Sequence, residues 1–382
     1  MPGGYRPIPL YIAGVSEDGF STALSARIRT FDGETPLQAM ARQGAPAPSA
    51  MSSLERFPYY RAFPFAWYFA AYSEDVAIGE VRTAHWLARD LVIWRDEDGH
   101  AHVMDAYCAH MGAHLGYGGR VEGCNIVCPF HWWEYDGDGV NVRIPYADEP
   151  NRKAKIRSYP TIDRNGLIMF WYHPRGDAPL WEIPELPEAT DPGWTPYLRG
   201  EWDVQCPWQE MAENGPDYIH LRTVHGAADV PEVESLEYDG YLSRLRSKVN
   251  FSTPRGPQSG RIDTDSWGPG FAVARFSGIT PVLFVNLSTP VDWETTRSIK
   301  LYKLEMLGDT DDARAKTERV GDALVRDLRK QMDEDVVIFD HKIWVDPPAL
   351  APDDGPIVRF RKWVKQFYVD GDPVAAGRTA NR

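Results

Sequence analysis

The sequence lacks three features that would assign the protein to a membrane, to an export pathway or to nucleic acid. Its most apolar stretch, residues 63–72, contains a proline and is far shorter than the about 20 residues of a spanning helix. The N-terminus has no charged segment followed by an apolar run and a small-residue cleavage site. Acidic residues outnumber basic ones by 55 to 41, and the basic ones form no phosphate-binding cluster. We therefore expect no transmembrane segment, no nucleic-acid partner and a cytoplasmic location.

Cysteine is scarce, with four residues in the chain of 382. Cys108, Cys124 and Cys128 lie close together and beside histidines, whereas Cys206 is remote in sequence. In a long chain without an export signal, this clustering favours metal binding over disulfide formation. Within the cluster, Cys124 is expected to be a small core residue and not a ligand.

The length of the chain predicts two domains behind an N-terminal extension. Residues 1–56 end in a Gly-, Ala-, Pro- and Ser-rich run with the composition of a linker, and we assign them no function. Short β-rich runs separated by turns predict an all-β domain over residues 57–175. A proline-rich boundary follows. In residues 176–382, strand-like runs precede a long helix, which predicts an α+β fold with an antiparallel sheet.

The expected elements can be given by residue number. In the first domain, strands are predicted at 91–94, 102–106, 125–128 and 167–172. In the second, a helical segment around 206–224 is followed by strands at 242–251, 271–276, 282–288 and 298–304 and by a helix over 311–344.

The first candidate site combines Cys108-Ala-His110 with Cys128-Pro-Phe-His131, so that each of two loops presents one thiolate and one imidazole. A Rieske [2Fe-2S] cluster needs two cysteines on one iron and two histidines on the other, and these short spacings allow each loop to span the cluster. Structural zinc sites also use two cysteines and two histidines, but they usually pair like with like along the chain. The mixed pattern favours a Rieske cluster, with zinc as the alternative.

The second candidate site begins with His220 and His225. On a regular helix these two residues point about 140° apart, so the helix must be broken or bulged if both bind one metal ion. Asp217 lies three residues before His220, where a carboxylate could orient that imidazole. The alternative for Asp217 is an ordinary acidic residue in a first helical turn after Pro216.

Non-haem iron oxygenases bind iron with two histidines and one carboxylate, and helical periodicity selects Asp335 as the carboxylate. At 100° per residue, Asp335 falls on the apolar stripe of the C-terminal helix, which is formed by Leu324, Leu328, Met332 and Phe339. Asp333, Glu334 and Asp340 point away from that stripe and are expected to be solvated. A buried carboxylate needs a cation or donor, and iron at the two histidines is the simplest; an ion pair with Arg or Lys is the alternative.

Both patterns, in this order, resemble those of the Rieske non-haem iron oxygenase α-subunits, over residues 57–370. Within that family, several segments are most similar to the oxygenase component of 3-ketosteroid 9α-hydroxylase and to sterol 7-desaturases. These segments are Ala-Tyr-Cys108-Ala-His110-Met-Gly-Ala-His, Cys128-Pro-Phe-His131-Trp-Trp, Asn214-Gly-Pro-Asp217-Tyr-Ile-His220, Thr289-Pro-Val-Asp292, Asp335-Val-Val-Ile-Phe-Asp-His-Lys342 and Arg361-Lys-Trp-Val-Lys-Gln-Phe-Tyr368.

The resemblance implies a Rieske β-domain followed by a helix-grip catalytic domain with a C-terminal helix, holding a [2Fe-2S] cluster and a mononuclear Fe(II). It also implies a homotrimer in which the cluster of one subunit faces the iron of the next. Asp217 would then bond His131 of the adjacent chain and His220 of its own chain. Asp335 would complete the iron-binding triad.

The resemblance further implies a monooxygenase that hydroxylates an apolar, polycyclic, steroid-like substrate with O2. Its electrons would come from an NAD(P)H-dependent ferredoxin reductase or a ferredoxin. A desaturase or oxidative cyclase acting on a sterol or another natural product has the same metal centres and is the alternative. An electron-transfer or zinc-binding protein is a third hypothesis, but it leaves the second domain without a role. Residues 230–289 are expected to line the substrate cavity, with four candidate aromatic side chains, Trp267, Phe271, Phe276 and Phe284.

Overall fold

The computed structural model describes residues 34–44, 47–227, 229–251, 256, 258–278 and 280–369. Most of the predicted N-terminal extension therefore lies outside the described residues. Within the described ranges the chain forms four antiparallel sheets and seven α-helices. Each of these helices is too short or too polar to cross a membrane.

Three sheets form the N-terminal unit. Its strands are β1 (Ala66–Tyr72), β2 (Val81–Trp86), β3 (Arg89–Arg95), β4 (Ala101–Asp105), β5 (Arg120–Glu122), β6 (Asn125–Val127), β7 (Glu134–Tyr135), β8 (Asn141–Arg143), β9 (Ser158–Tyr159), β10 (Thr161–Arg164) and β11 (Leu167–Tyr172). They pair in the orders β1-β11-β10, β2-β3-β4-β9 and β5-β6-β7-β8. The four predicted strands of this unit are confirmed, with small shifts at their ends.

The β1–β11 ladder joins the two halves of the molecule. Both strands are apolar along almost their whole length, and nearly all of their residues are buried, as expected for strands covered on both faces. The backbone N–H of Phe69 on β1 donates to the hydroxyl of Thr289 in the second half, at 3.1 Å. The apolar core is continuous across this junction.

One seven-stranded sheet forms the C-terminal unit. Its strands are β12 (Leu198–Val204), β13 (Glu232–Asp239), β14 (Leu242–Phe251), β15 (Gln258–Trp267), β16 (Phe271–Ser277), β17 (Val282–Pro290) and β18 (Thr296–Leu304), in the order β12-β18-β17-β16-β15-β14-β13. The four predicted strands are confirmed, whereas β12, β13 and β15 were not predicted. Their sequences are rich in charged and hydroxyl residues, which weakens the apolar alternation on which the prediction depends.

The helices lie mainly around that sheet. They are α1 (Pro36–Gln43), α2 (Ser53–Arg56), α3 (Pro187–Thr190), α4 (Trp208–Ala212), α5 (His220–Thr223), α6 (Asp311–Phe339) and α7 (Ile357–Val364), with 3-10 turns at Ser73–Asp75 and Lys365–Phe367. The prediction of one helical segment around 206–224 was wrong, because α4 and α5 are separate short helices. The C-terminal helix is confirmed, although it ends at Phe339 instead of 344. Between α6 and the sheet lies a cavity of about 480 Å³.

Three predicted environments were also wrong. Cys124 is exposed and donates to the Asp98 carboxylate at 3.1 Å, so it is not a core residue. Glu334 and Asp340 are buried, at 1% and 4% exposure, and not solvated. Both have polar partners that offset the cost of burial: Asp340 accepts a hydrogen bond from the backbone N–H of Gln205 at 2.7 Å, and Glu334 lies in the second candidate site.

The end of the expected linker is packed and not extended. Arg56 is 2% exposed, and its guanidinium donates to the backbone carbonyls of Phe339 and Asp340, at 3.2 and 3.0 Å. These carbonyls are among the unpaired groups at the C-terminal end of α6. The segment before the first domain therefore caps the helix that contains Asp335.

Candidate functional site

Two loops with the same backbone hydrogen bonding begin at Cys108 and Cys128. In each, the N–H four residues later donates back to the cysteine carbonyl, from Gly112 at 2.9 Å and from Trp132 at 3.1 Å. Both of these later residues have left-handed backbone conformations, with φ of +74° for Gly112 and +59° for Trp132. The two loops are therefore structural copies, and the second adopts this conformation without the freedom of glycine.

The four predicted cluster ligands converge at these loops. Cys108 and Cys128 are buried and hydrogen-bonded to each other. That bond, with a second from the Tyr135 hydroxyl at 3.2 Å, outweighs burial and lowers the pKa of the Cys108 thiol to about 5. The pKa of Cys128 is raised, because it holds the proton that the pair shares. Cysteines in this state offer the thiolate that iron requires.

The two histidines of the loops face each other, with ring centroids 4.7 Å apart. The His110 ring stacks on Trp133, with centroids 4.2 Å apart and an interplanar angle of 3°. The Nδ1 atom of His131 is buried and has no hydrogen-bond partner within the described part of the chain. A buried nitrogen without a partner, next to a paired thiol and thiolate, fits a set of side chains that binds a [2Fe-2S] cluster through two imidazoles and two sulfurs.

The second candidate site is built where α5 ends. Val224 N–H donates to the His220 carbonyl at 2.7 Å, and Ala227 N–H reaches back to Leu221 at 2.9 Å through Gly226, which has φ of +71°. His225 therefore lies in a wide turn beyond the helix, and its ring can approach the ring of His220. Their ring centroids are 5.2 Å apart.

His220, His225 and Asp335 come together as a group that could hold one metal ion. One ligand atom from each lies within 4.8 Å of the others. The Nε2 atom of His225 is 3.2 Å from an Asp335 oxygen. All three side chains line the cavity between α6 and the sheet.

In each member of this triad, one polar atom is hydrogen-bonded to a neighbouring group of the protein. Another polar atom points toward the other two members of the triad. The Nδ1–H of His220 donates to the backbone carbonyl of Asp217, and that of His225 donates to the Glu334 carboxylate at 2.8 Å. The Nδ2–H of Asn214 donates to one Asp335 oxygen at 3.1 Å. Such bonds fix the ring tautomers and leave Nε2 of both rings and one carboxylate oxygen for a metal ion.

The two histidines differ in their affinity for protons. Burial lowers the pKa of His220, and the nearby Asp335 and Asp217 offset this only in part. Burial also lowers the pKa of His225, but hydrogen bonds and attraction from Asp335 and Glu334 outweigh it, so the pKa is raised. Without a metal ion, His225 is therefore the more basic of the two imidazoles.

Asp217 contacts His220, but not with its carboxylate on the ring. The carboxylate accepts from the backbone N–H groups of Ile219 and His220, at 3.2 and 3.4 Å, at the start of α5. The ring is held by the Asp217 carbonyl. The carboxylate remains partly exposed to solvent. Its bond to a neighbouring subunit stays a prediction.

The cavity is lined by alternate residues of the sheet strands and by the apolar stripe of α6. Phe276 and Phe284 line it as expected, whereas Trp267 and Phe271 do not. Trp267 instead packs edge-on against Phe271, with centroids 5.9 Å apart, and Phe271 is in the core. On α6, the predicted stripe residues and Asp335 all face the cavity, which supports the periodicity argument.

Sequence reasoning missed Glu334, Asn214 and Tyr135 as residues that hold the ligands. Glu334 lies about 100° around the helix from Asp335, outside the apolar stripe. Its buried carboxylate pairs with His225 at 2.8 Å and lies 3.6 Å from the Lys330 ammonium. Asn214 lies in a segment that the sequence analysis singled out, so a signal for it existed. Tyr135 had no signal beyond its place near Cys128.

Two protein-family models match the chain. Residues 66–160 match the Rieske [2Fe-2S] domain, and residues 170–368 match the 3-ketosteroid 9alpha-hydroxylase C-terminal domain. A probable 3-ketosteroid-9-alpha-monooxygenase, oxygenase component, of Rhodococcus rhodochrous is 29% identical over 331 residues, covering 81% of this chain and 80% of the relative. A cholesterol 7-desaturase of Caenorhabditis elegans is 30% identical over 349 residues, covering 81% and 78%.

Among solved structures, dicamba monooxygenase bound to dicamba has a similar fold. The TM-score is 0.63 at 18% sequence identity, and the match covers 83% of this chain and 98% of that chain. The similarity confirms the predicted fold class, an all-β N-terminal domain followed by an α+β domain with an antiparallel sheet and a long C-terminal helix.

Proposed function

Since the chain belongs to the Rieske oxygenase family that pairs a Rieske [2Fe-2S] domain with a 3-ketosteroid 9α-hydroxylase C-terminal domain, we propose that it hydroxylates an apolar, steroid-like compound as the oxygenase component of a monooxygenase. The chain is an oxidoreductase, and its cofactors are a Rieske [2Fe-2S] cluster and a mononuclear non-haem iron. The family match also favours the cluster over the zinc alternative at the first site.

In this proposal, Cys108, His110, Cys128 and His131 hold the cluster, and His220, His225 and Asp335 hold the iron. The convergence of both sets, and the buried Nδ1 of His131 that has no partner within the described residues, support this assignment. We place the Rieske domain at residues 57–175 and the catalytic domain at 176–382, behind an extension at 1–56. The Rieske family match lies within the first of these domains, whereas the C-terminal family match begins at residue 170, six residues before the second.

The observation on which the proposal rests is the position of the triad on the wall of a cavity of about 480 Å³. When bound, the cluster supplies one-electron transfer and the iron supplies dioxygen activation. The chain's own side chains orient the ligands, exclude water with the apolar stripe of α6, and position a substrate carbon. The overall reaction converts R–H, O2, two electrons and two protons into R–OH and water.

The test is product analysis with the holoenzyme, an electron-donating reductase and a panel of steroids under isotopically labelled dioxygen. We expect a product that has gained one labelled oxygen atom, and no such product from the Asp335→Ala variant. Failure of the intact, fully iron-loaded protein to convert any member of the panel would contradict the proposed substrate class.

Desaturation is a second candidate reaction, favoured by the similarity to cholesterol 7-desaturase. It uses the same inputs, but removes two hydrogens from the substrate and yields two molecules of water. The same product analysis separates the two reactions, because a desaturated product loses two hydrogens and contains no labelled oxygen. An oxidative cyclisation would also lose two hydrogens, and it would be recognised by the new ring.

The proposal includes a homotrimer in which the exposed cluster face of one subunit packs on the catalytic domain of the next. Three large side chains on or beside the cluster loops, Met111, Phe130 and Trp132, are more than half exposed. Trp132 has the left-handed backbone that Gly112 has in the other loop, and its ring lies 5.1 Å from the Arg120 guanidinium. A second copy of the chain would cover this apolar surface and bring its own Asp217 to His131.

The electron donor in this proposal is an NAD(P)H-dependent ferredoxin reductase or a ferredoxin, since the relatives are named as oxygenase components. We place the enzyme in the cytoplasm, where such donors occur and where an exposed cysteine such as Cys124 stays reduced.

A further inference from the structure

One charged side chain in the cavity takes no part in the chemistry described above. Lys300 lies on β18 with its side chain on the cavity face of the sheet, next to Tyr302 two residues along the same strand. Its cross-strand neighbour on β17 is Asn286, whose side chain also lines the cavity. Among the described residues that line this cavity, Lys300 is the one Lys or Arg.

The protein gives the Lys300 ammonium little compensation for its charge. Its Nζ donates to the neutral side-chain oxygen of Asn286 at 2.6 Å, and lies 5.8 Å from the centre of the Phe284 ring. Burial lowers the pKa of Lys300 to about 8, and Asp335 is the acid that opposes this effect. An ammonium has three N–H donors, and burying a charge is costly unless the charge is paired and hydrogen-bonded.

Iron binding would weaken the attraction between Asp335 and the Lys300 ammonium. In the proposed site, the Asp335 carboxylate is engaged by the metal ion and by Asn214. The Lys300 side chain then faces a cavity with an apolar stripe on α6. Asp217 and Asp327 also line the described part of this cavity, but Asp335 is the acid whose charge acts on the pKa of Lys300. A group that enters the cavity and carries an oxygen acceptor would satisfy the unused donors of Lys300.

We propose that Lys300, supported by Asn286, is the residue that anchors the substrate, by donating a hydrogen bond to a carbonyl or carboxylate oxygen of an otherwise apolar molecule. This inference rests on the proposed function and deepens it, because it names a polar group that the substrate must carry. With one end of a rigid molecule held at β18 and the opposite wall of the cavity formed by α6, the anchor determines which carbon lies beside the triad.

The test measures binding to the holoenzyme in the absence of dioxygen, so that it does not depend on turnover. The probes share one steroid nucleus and differ at one position, which carries a ketone, a carboxylate or hydrogen alone. The variants are Lys300→Met, which keeps the length of the side chain but removes its donors, and Lys316→Met, which makes the same change at an exposed position of α6.

For the wild-type protein, we expect tighter binding of the oxygenated probes than of the parent hydrocarbon. Lys300→Met should weaken the binding of the preferred oxygenated probe by about 10- to 100-fold, the size expected for a hydrogen bond from a charged group, and should leave the hydrocarbon unchanged. Lys316→Met should bind all three probes as the wild-type protein does. The probe that loses most affinity in Lys300→Met shows whether the acceptor is a ketone or a carboxylate.

Equal affinity of wild type and Lys300→Met for both oxygenated probes would overturn the anchor and leave the proposed reaction standing. If the wild-type protein binds none of the probes, the substrate class fails and the anchor fails with it. An unchanged Rieske spectrum shows that the variant is folded. Should Lys300→Met not fold, Lys300→Gln removes the charge and keeps a shorter, neutral donor, and a smaller loss of affinity, confined to the oxygenated probes, is expected.

Discussion

At the scale of single residues, the triad is notable for the partners behind it. Asn214, Glu334 and the Asp217 carbonyl each hold one atom of a ligand and leave another atom directed at the shared centre. These partners also decide the protonation of the ligands, since Glu334 is one of the two acids that raise the pKa of His225. In the proposed site, iron would compete with a proton for His225 more strongly than at an imidazole of ordinary pKa.

The first prediction concerns pH. Because the pKa of His225 is raised above its ordinary value of 6.5, its imidazole is protonated in the metal-free site below that raised pKa, and iron affinity should fall as pH decreases through it. Glu334→Gln removes one cause of the raised pKa. We expect its affinity well above neutral pH to fall by about 10- to 100-fold, while the midpoint of its affinity against pH, taken relative to its own high-pH value, moves to lower pH.

Iron retention against a chelator, measured across pH, checks this prediction. Glu318→Gln, an exposed position on the same helix, is the matched control and should behave as the wild-type protein does. A Glu334→Gln variant with weaker affinity but an unmoved midpoint would mean that Glu334 acts only in packing.

Residue-scale prediction from the sequence worked where one strong periodicity existed. The apolar stripe on α6 selected Asp335, and the structure places it with His220 and His225. It failed for Glu334, because angular position on a helix says nothing about a partner on another element. Burial of an acid beside a histidine distant in sequence is a tertiary contact, and a single sequence contains no local signal for it.

At the scale of elements, the N-terminal helix α1 bonds to the turn that presents His225. The Gln38 side chain caps α1 by accepting from the Thr35 N–H at 3.0 Å. The same amide donates to the Val224 carbonyl at 3.2 Å, one residue before His225. One side chain therefore joins the N-terminal extension to the turn that presents His225.

The second prediction follows from this bond. Gln38→Ala removes both hydrogen bonds of this side chain. Loss of the bond to Val224 should lower the free energy of local opening of the turn by about 1 kcal/mol, a roughly fivefold faster amide exchange at residues 220–227. Hydrogen–deuterium exchange measures this effect. Gln43→Ala, at the exposed end of the same helix, should leave exchange there unchanged. Unaltered amide exchange at residues 220–227 in Gln38→Ala would mean that α1 does not stabilise the turn that presents His225.

Element prediction from the sequence depended on how each strand distributes its polar residues. Strand β17 is largely apolar, and in β14 the apolar residues Leu245, Val249 and Phe251 alternate with polar ones, so both were found. Strand β15 has the sequence QSGRIDTDSW and was missed. Its hydroxyl and acidic residues face a cavity or pair with charged neighbours, as Asp265 does with Arg246 at 2.8 Å. A strand that lines a cavity need not show the apolar alternation of a strand that packs on a core.

At the scale of the whole molecule, the two candidate metal sites lie in different halves of the chain. None of the predicted cluster ligands lines the cavity of the triad in the described residues. The proposed trimer accounts for this arrangement, because electrons would pass from the cluster of one subunit to the iron of its neighbour.

The third prediction tests that arrangement by mixing inactive subunits. Cys108→Ser should lack the cluster, Asp335→Ala should lack the iron, and neither should turn over alone. Trimers co-assembled from both should regain part of the activity, because an intact cluster can then face an intact iron site across an interface. Co-purification confirms assembly. Mixed trimers as inactive as either parent would place electron transfer within one chain.

The most direct test of the central claim, that one chain binds both a cluster and a separate iron, is the iron content of Asp335→Ala beside its visible spectrum. Wild-type protein should contain about three irons per chain, two in the cluster and one in the triad. The variant should contain about two, keep the wild-type Rieske spectrum and form no product. A variant that keeps the third iron and full turnover would contradict the account.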